Sequence, residues 1–212
     1  MSPDPQIRDR VEERFRAEMR SGDILPGDGV LISAAARRWQ VSETPVREAC
    51  WRAVGEGWLQ PHPRGGFRVW NGDVEELREW YETLGVLLTD VINLGDAEVF
   101  RQLGSRYEIP LDDADHLLEV HSRVARSAGN GAIAGIVEQA SCRLLPYRSA
   151  ERALGADPAV EAVMLARSLS SGARSEMREA VRRWCRWRFT RAPAILGLIE
   201  EMRLARRGGS RA

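Results

Sequence analysis

Residues 41–59, VSETPVREACWRAVGEGWL, decide how the first third of this chain folds. Ser42 or Thr44 can cap a helix start, because a hydroxyl accepts from the orphan N–H groups of the first turn. Pro45 suits that turn, where its missing N–H costs nothing. Val46, Ala49, Cys50, Ala53 and Val54 then recur at helical spacing, predicting a helix over about 43–55 that stops at Gly55 or Gly57. Arg47, Glu48, Trp51 and Arg52 are left to be divided between solvent and packing. The helix therefore begins with charge at its N-terminal end.

Working outward, residues 33–39 (SAAARRW) predict a short helix with Ser33 as its N-cap, and Gln40-Val41 lead into the helix above. On the other side, residues 58–70 (WLQPHPRGGFRVW) set apolar pairs around a Pro-His-Pro-Arg-Gly-Gly turn, the pattern of a small β-hairpin. Upstream, Ile7, Val11, Phe15 and Met19 form an i, i+4 stripe over residues 4–21, and Gly22, Pro26 and Gly27 punctuate a turn. Helix, helix, three-residue turn, helix, hairpin is the order of a winged helix-turn-helix.

The same residues resemble the N-terminal domain of GntR-type bacterial transcription regulators. Leu25-Pro26-Gly27, Val41-Ser42, Thr44-Pro45-Val46-Arg47-Glu48-Ala49, Glu56-Gly57 and Gly65-Gly66-Phe67 carry the likeness in order and spacing over about residues 7–70. The resemblance implies double-stranded operator DNA as partner, with Ser33, Glu43, Thr44, Arg47 and Gly66 at DNA-contacting positions. Chemistry agrees. Arg47, one turn into the second helix of the motif, can fork onto guanine O6 and N7 in the major groove. Thr44 and Ser33 can meet phosphates through hydroxyls and helix N-terminal amides. Gly65 and Gly66 at the hairpin tip allow close backbone approach, flanked by His62 and Arg64. Arg38 and Arg52, like Arg37, either contact DNA or serve as solvated charges. Glu43 departs from the family, which commonly has arginine or lysine there. A carboxylate either accepts from a cytosine amino group or turns away to favour the helix N-terminus.

Composition sets the bounds. The chain has 212 residues, 43% of them hydrophobic, enough for one large or two small domains. No apolar run approaches the ~18 residues of a membrane span, and MSPDPQIRDR lacks a signal-peptide apolar region, so a cytoplasmic protein without membrane contact is expected. Cys50, Cys142 and Cys185 are scattered, as buried free thiols would be. The formal net charge is zero, yet residues 1–70 carry +1, residues 71–120 carry −10 and residues 121–212 carry +9. Every basic residue is arginine. The charge change near residue 71 places a boundary, giving a DNA-binding domain at 1–70 and an all-α effector-binding and dimerisation domain at 71–212. The expected fold class is mainly α, a winged helix-turn-helix followed by a helical bundle.

Downstream helices are expected over about 74–93, 96–107, 111–128, 131–152, 158–171 and 174–206, the last broken near Pro193. The layout and HSRVARSAGN (121–130) resemble the all-helical FCD-type effector domain of the fatty-acid-regulator (FadR-like) branch. Many such domains hold a divalent metal with an aspartate and three histidines. Here Leu117, Ala162 and Trp184 fall where three of those ligands belong, leaving His121, so neither a metal nor any other cofactor is expected. Asp112 and His116 stand i, i+4 apart near Asp115 and Glu119, where solvated helix charges are the simpler account. Trp184 would fill the vacated space. His121, Asn130, Arg143, Arg148 and Trp184 are the candidates for holding a small effector, a carboxylate metabolite among the choices, although Asn130 between two glycines can equally serve a turn. RRWCRWRFTR (182–191) reads as core and dimer packing with snorkelling arginines, with the acidic segment after residue 71 as an intramolecular or intersubunit partner. The sequence contains no G-x-S-x-G, no phosphate-cradling loop and no metal cluster, so no enzyme is expected. What it predicts is a ligand-responsive repressor acting as a homodimer on a two-fold operator, the alternative being a helical domain that only dimerises.

Overall fold

The computed structural model describes residues 5–106 and 116–209 and is mainly helical. The chain divides into two compact units. One gathers Met1–Asn71, Cys142–Ala150 and Leu198–Ala212; the other gathers Gly72–Ser141 and Glu151–Gly197.

The first unit is a winged helix-turn-helix. Helix α1 (Pro5–Ser21) buries Val11, Phe15 and Met19, the predicted stripe, while Ile7 at its start stays partly exposed. Phe15 lies 5.5 Å from Trp39, the last residue of α2 (Ile32–Trp39), and 4.9 Å edge-on from Trp58. Carboxylates of α1 reinforce these apolar contacts. Glu18 accepts from the Trp39 indole at 2.6 Å and from Arg38 at 2.5 Å, and Glu12 lies 2.7 Å from Arg52 of α3 (Glu43–Gly55). Between α2 and α3 the chain turns over three residues, with Gln40 left-handed (φ 56°) and its N–H returned to the Ala36 and Arg37 carbonyls. Helix α3 spans the predicted residues and buries Pro45, Val46, Ala49, Cys50 and Ala53. Burial pushes the Cys50 thiol up to about 12, so it serves as a small apolar side chain.

Two details differ from expectation. Ser33 does not cap α2, which starts at Ile32 with Leu31 in the cap position and no side-chain cap. Ser42 stands before α3 with the extended backbone of a cap, but its side chain makes no cap bond, and Thr44 lies inside the helix. The hairpin of β2 (Leu59–Pro61) and β3 (Phe67–Val69) gains a third strand, β1 (Gly29–Val30), in the antiparallel order β1-β3-β2, with Gly29 opposite Arg68 and Leu59 opposite Val69. Two residues are too few to show an alternating pattern, so β1 has no local signal.

Later parts of the chain complete this unit. Arg143 stacks 5.2 Å over Trp70, and Tyr147 meets the same ring edge-on at 5.7 Å. Arg203 and Arg206 approach Asp28 at 3.9 and 3.2 Å, and Arg206 also donates to the Asp23 carbonyl at 2.9 Å. Gly57, left-handed at φ 80°, turns the chain from α3 toward β2, and the Arg143 guanidinium occupies the space that a β-carbon would need.

The rest of the chain is helical; Cys142–Ala150 and the residues from Leu198 on belong to the first unit, the remainder to the second. Helix α4 (Val74–Leu94) opens with a capping box between Asp73 and Glu76, and α5 (Ala97–Ser105) is capped by Asp96. Next come α6 (His116–Ser127) and α7 (Gly131–Leu144). Residues 107–115, which hold the start of the helix expected at 111–128 and Asp112 and Asp115, lie outside the described residues. The helix expected at 131–152 is divided: α7 ends at Leu144, Leu145–Tyr147 form a 3-10 turn around Pro146, and α8 (Arg148–Ala153) follows, because proline cannot donate to the i−4 carbonyl. Helix α9 (Pro158–Ser171) matches expectation, capped by Asp157 and closed by left-handed Gly172. Gly104 lets α5 lie against α9, since a β-carbon there would come 2.6 Å from the Ala166 carbonyl.

Helix α10 (Arg174–Gly209) runs through Pro193 without the expected break. Proline deprives the Phe189 carbonyl of its helical donor. Arg78 of α4 donates to that carbonyl instead, at 3.3 Å, and its guanidinium stacks 5.3 Å from the Phe189 ring.

At the centre of this unit is a charged network. Arg188, 0% exposed, donates through Nη1 and Nη2 to both Glu161 oxygens at 2.9 and 2.7 Å, and through Nε to Glu151 at 3.0 Å. The Tyr81 hydroxyl donates to the other Glu151 oxygen at 2.6 Å. Arginine's planar fork suits such paired carboxylates. Arg188 is therefore a core residue, where the sequence suggested arginines snorkelling outward.

Two stability outcomes follow from these contacts. Gly57→Ala forces a β-carbon into a left-handed position that costs about 1–2 kcal/mol by itself, and displacing Arg143 adds to that; urea unfolding should show a lower midpoint. Arg188→Met takes a buried cation away from the Glu151 and Glu161 carboxylates and should cost roughly 3–5 kcal/mol. Pairing it with Glu151→Gln should recover part of the loss in the same measurement.

Candidate nucleic-acid interface and ligand cavity

The outward face of α3 carries Glu43, Thr44, Arg47, Glu48 and Trp51, all exposed, along one side of the helix. Pro45, Val46, Ala49 and Cys50 on the opposite side fix that orientation by burial. Arg47 is 57% exposed and lies 3.4 Å from Glu43, one turn earlier. This i, i+4 pair holds the guanidinium loosely over the N-terminal turn, from where it can reach a base edge. Glu43 thus sits at the first position of the helix and faces Arg47.

The remaining arginines divide into two groups. Arg38 and Arg52 turn to Glu18 and Glu12 of α1, where they tie the three helices together. Burial pushes the Glu12 carboxyl up, against the pull of Arg52 and Arg16. Arg37 and Arg64 remain exposed, Arg37 donating weakly to the Ser33 carbonyl at 3.3 Å. Ser33 is exposed in the first turn of α2.

At the hairpin tip the His62 N–H donates to the Gly66 carbonyl at 3.1 Å, and the Gly65 N–H to the His62 carbonyl at 2.9 Å. The Arg64 N–H donates to His62 Nδ1 at 3.3 Å. Both glycines have left-handed backbone, for different reasons. A β-carbon on Gly66 would lie 2.7 Å from the Val30 carbonyl of β1, whereas the space beside Gly65 is open. Gly66 is needed by the sheet itself, and Gly65 is the position where backbone is bare toward solvent.

Sequence reasoning left Trp51 undecided and did not place it in the candidate interface. The structure sets it 55% exposed on the α3 face, 5.2 Å edge-on from Phe67. A large aromatic beside Arg47 supplies an apolar surface of the kind that meets a thymine methyl group. Its spacing, four residues after Arg47, is the signal that could have found it.

The effector candidates separate. His121 and Trp184 lie together in the second unit, ring centres 5.2 Å apart and edge-on, beside a cavity of about 210 Å³. Leu117, Glu161, Met164 and Trp187 also line it. Arg143 and Arg148 belong to the first unit, Arg143 against Trp70 and Arg148 fully buried. Asn130 is exposed and caps α7, its side-chain oxygen accepting from Ala132 and Ile133 N–H at 3.1 and 3.2 Å. It serves the turn. His116 is buried rather than solvated, and Glu119 pairs with Arg123. The cavity lining does not fit a divalent metal: beside His121 stand Leu117 and the Trp184 indole, and Glu161 is already held in the Arg188 fork. Among the described residues no helix is long and apolar enough to cross a membrane.

Comparison with known proteins agrees with this geometry. The family model for bacterial regulatory proteins of the gntR family matches residues 7–69. No curated protein sequence matches the chain. A solved structure of E. coli McbR/YncC is similar with a TM-score of 0.58 and 18% identity, covering 93% of this chain and 99% of that one. A transcriptional regulator GntR from Rhodococcus sp. RHA1 is similar with a TM-score of 0.58 and 16% identity, covering 91% of this chain and 98% of the other. At such identities the two structures speak for the fold alone. Over residues 7–69, the winged helix-turn-helix segment, the chain is similar to the bacterial regulatory proteins of the gntR family.

Proposed function

We propose that the chain is a cytoplasmic, homodimeric, ligand-responsive repressor that reads a two-fold operator with α3 and the hairpin tip. The observation that carries the reading is the exposed Arg47–Glu43 pair at the start of α3, on a face otherwise cleared of buried residues. Arg47 is the base reader. Glu43 selects against phosphate and for a base donor, Thr44 and Ser33 supply hydroxyls to the backbone, and Gly65, Arg64 and His62 meet the flanking groove. Arg38, Arg52 and Gly66 act from behind, holding the reading helix and the wing in place.

The helical unit is proposed as an FCD-type effector domain of the FadR-like branch. Support comes from the small, largely apolar cavity at His121 and Trp184, a setting suited to a compact ligand. Binding there would couple to operator affinity, and the coupling is reciprocal: DNA that weakens ligand binding is weakened by ligand to the same degree. A helical unit that only dimerises is the second reading, favoured by the space that Trp184 takes beside His121.

Selection of bound fragments from random duplex DNA tests the DNA reading. Arg47→Ala should cost ~1–3 kcal/mol at the selected site and relax preference at one base pair. Glu43→Arg should raise binding to all DNA, steepen its salt dependence and move the preferred site toward guanine. An unchanged consensus for Glu43→Arg would remove Glu43 from the groove.

Thermal shift of the full chain against a metabolite library tests the sensing reading. A ligand at about a hundred times its Kd should add ~2.7 kcal/mol to stability, and the gain should vanish in His121→Ala. A library with no hit that depends on His121 would favour the dimer-only reading.

A further inference from the structure

Trp184 lines the cavity of about 210 Å³ and is 6% exposed, and its indole Nε1–H meets no acceptor among the described residues. We infer that this cavity takes an uncharged, compact ligand: an apolar body with one ketone, ester or amide carbonyl that accepts from Trp184 Nε1. Carboxylates are excluded. The inference rests on the sensing reading proposed above and adds the chemical class of what is sensed.

The donor carries the first half of the argument. A buried tryptophan N–H ordinarily finds a partner, and one left unmade calls for an explanation. The ring is held firmly. The Arg188 guanidinium stacks 4.7 Å from it, and the His121 and Tyr81 rings lie edge-on to it at 5.2 and 5.9 Å. A ligand oxygen would thus meet a donor already in place, which keeps the ordering cost of binding low. Leu117, Met164, Leu165 and Val181 supply the apolar wall. The volume lies below the ~300–1,000 Å³ of sites for drug-sized molecules, hence a compact ligand.

Charge carries the second half. Arg188 packs on Trp184, yet its nitrogens are already engaged. They donate to Glu151 at 3.0 Å, to both Glu161 oxygens at 2.9 and 2.7 Å, and to the Trp184 carbonyl at 3.4 Å. One guanidinium against two carboxylates gives this network a net negative charge, and Glu161 is part of the cavity wall. A ligand carboxylate would enter beside Glu161, repelled by it and stripped of water. Arg183 also lines the cavity, but it is exposed, where solvent and salt weaken its pull. The indole N–H is a neutral donor and suits a neutral acceptor.

Three probes of one shape test this on the full-length chain: acetophenone, benzoate and ethylbenzene. Each is titrated at neutral pH into protein carrying isotope-labelled tryptophan, and the indole N–H resonances are followed. The Trp184 resonance is identified by its loss in Trp184→Phe. Acetophenone should move that resonance downfield and bind roughly two- to ten-fold more tightly than ethylbenzene; benzoate should bind more weakly than either. In Trp184→Phe the two neutral probes should bind alike. Should that variant fail to melt cooperatively, the ranking of the three probes in the parent chain decides by itself. Benzoate that binds as tightly as acetophenone would overturn the inference, and its loss in Arg183→Gln or His121→Ala would name the group responsible. Acetophenone that binds without moving the Trp184 resonance would overturn it too, as would a chain that binds none of the three. The sensing reading falls separately, only if the metabolite library also yields no hit that depends on His121.

Discussion

The winged helix-turn-helix depends on one aromatic cluster. Phe15 of α1 sits between Trp39, which ends α2, and Trp58, which follows α3, so a single ring touches the two flanks of α3. Neither the turn at Gln40 nor the turn at Gly57 would hold α3 at a fixed angle by itself. Both turns are anchored because the residue beside each is packed on Phe15. The α1 carboxylates Glu12 and Glu18 then add direction to what packing alone leaves free, since a hydrogen bond fixes orientation where dispersion does not.

This accounts for the sorting of the arginines. A helix-turn-helix needs cations on its DNA side, and it also needs its helices joined. Arginine serves both needs in this chain, and a side chain's neighbours decide which. Arg38 and Arg52 lie within reach of α1 carboxylates and become ties. Arg47 has Glu43 as its one ion-pair partner among the described residues and stays exposed. In the helical unit the extreme case is Arg188, removed from water altogether and held by two carboxylates and two tryptophan faces at 4.7 and 5.5 Å.

Much of the winged helix-turn-helix was legible because its signals are local. Pro45, the Ser-x-Thr start and Glu-Gly at the end mark α3 within a dozen residues, and Pro-His-Pro-Arg-Gly-Gly marks the hairpin. What escaped depends on distant partners. Strand β1 exists only because β3 lies beside it. Pro193 is tolerated because Arg78, more than a hundred residues earlier, supplies a donor to Phe189. Arg188 sits in an arginine-rich run in which nothing local marks it as buried; Glu151 and Glu161 do so from other helices. The same limit applies to the candidate sites. Asn130 as a cap was readable beside its glycines, whereas the separation of Arg143 and Arg148 from His121 and Trp184 required the fold.

The discontinuous make-up of the first unit bears on how the protein is made. Trp70 is covered by residues 143 and 147, and Asp28 is held by residues 203 and 206. A ribosome delivers the chain from its N-terminus, so the winged segment emerges long before the residues that finish it. During that interval Trp70 and the turn at Asp28 face water or whatever shields a nascent chain. Their final packing has to wait until α10 has been released, so the winged segment, made before it, is completed only after it.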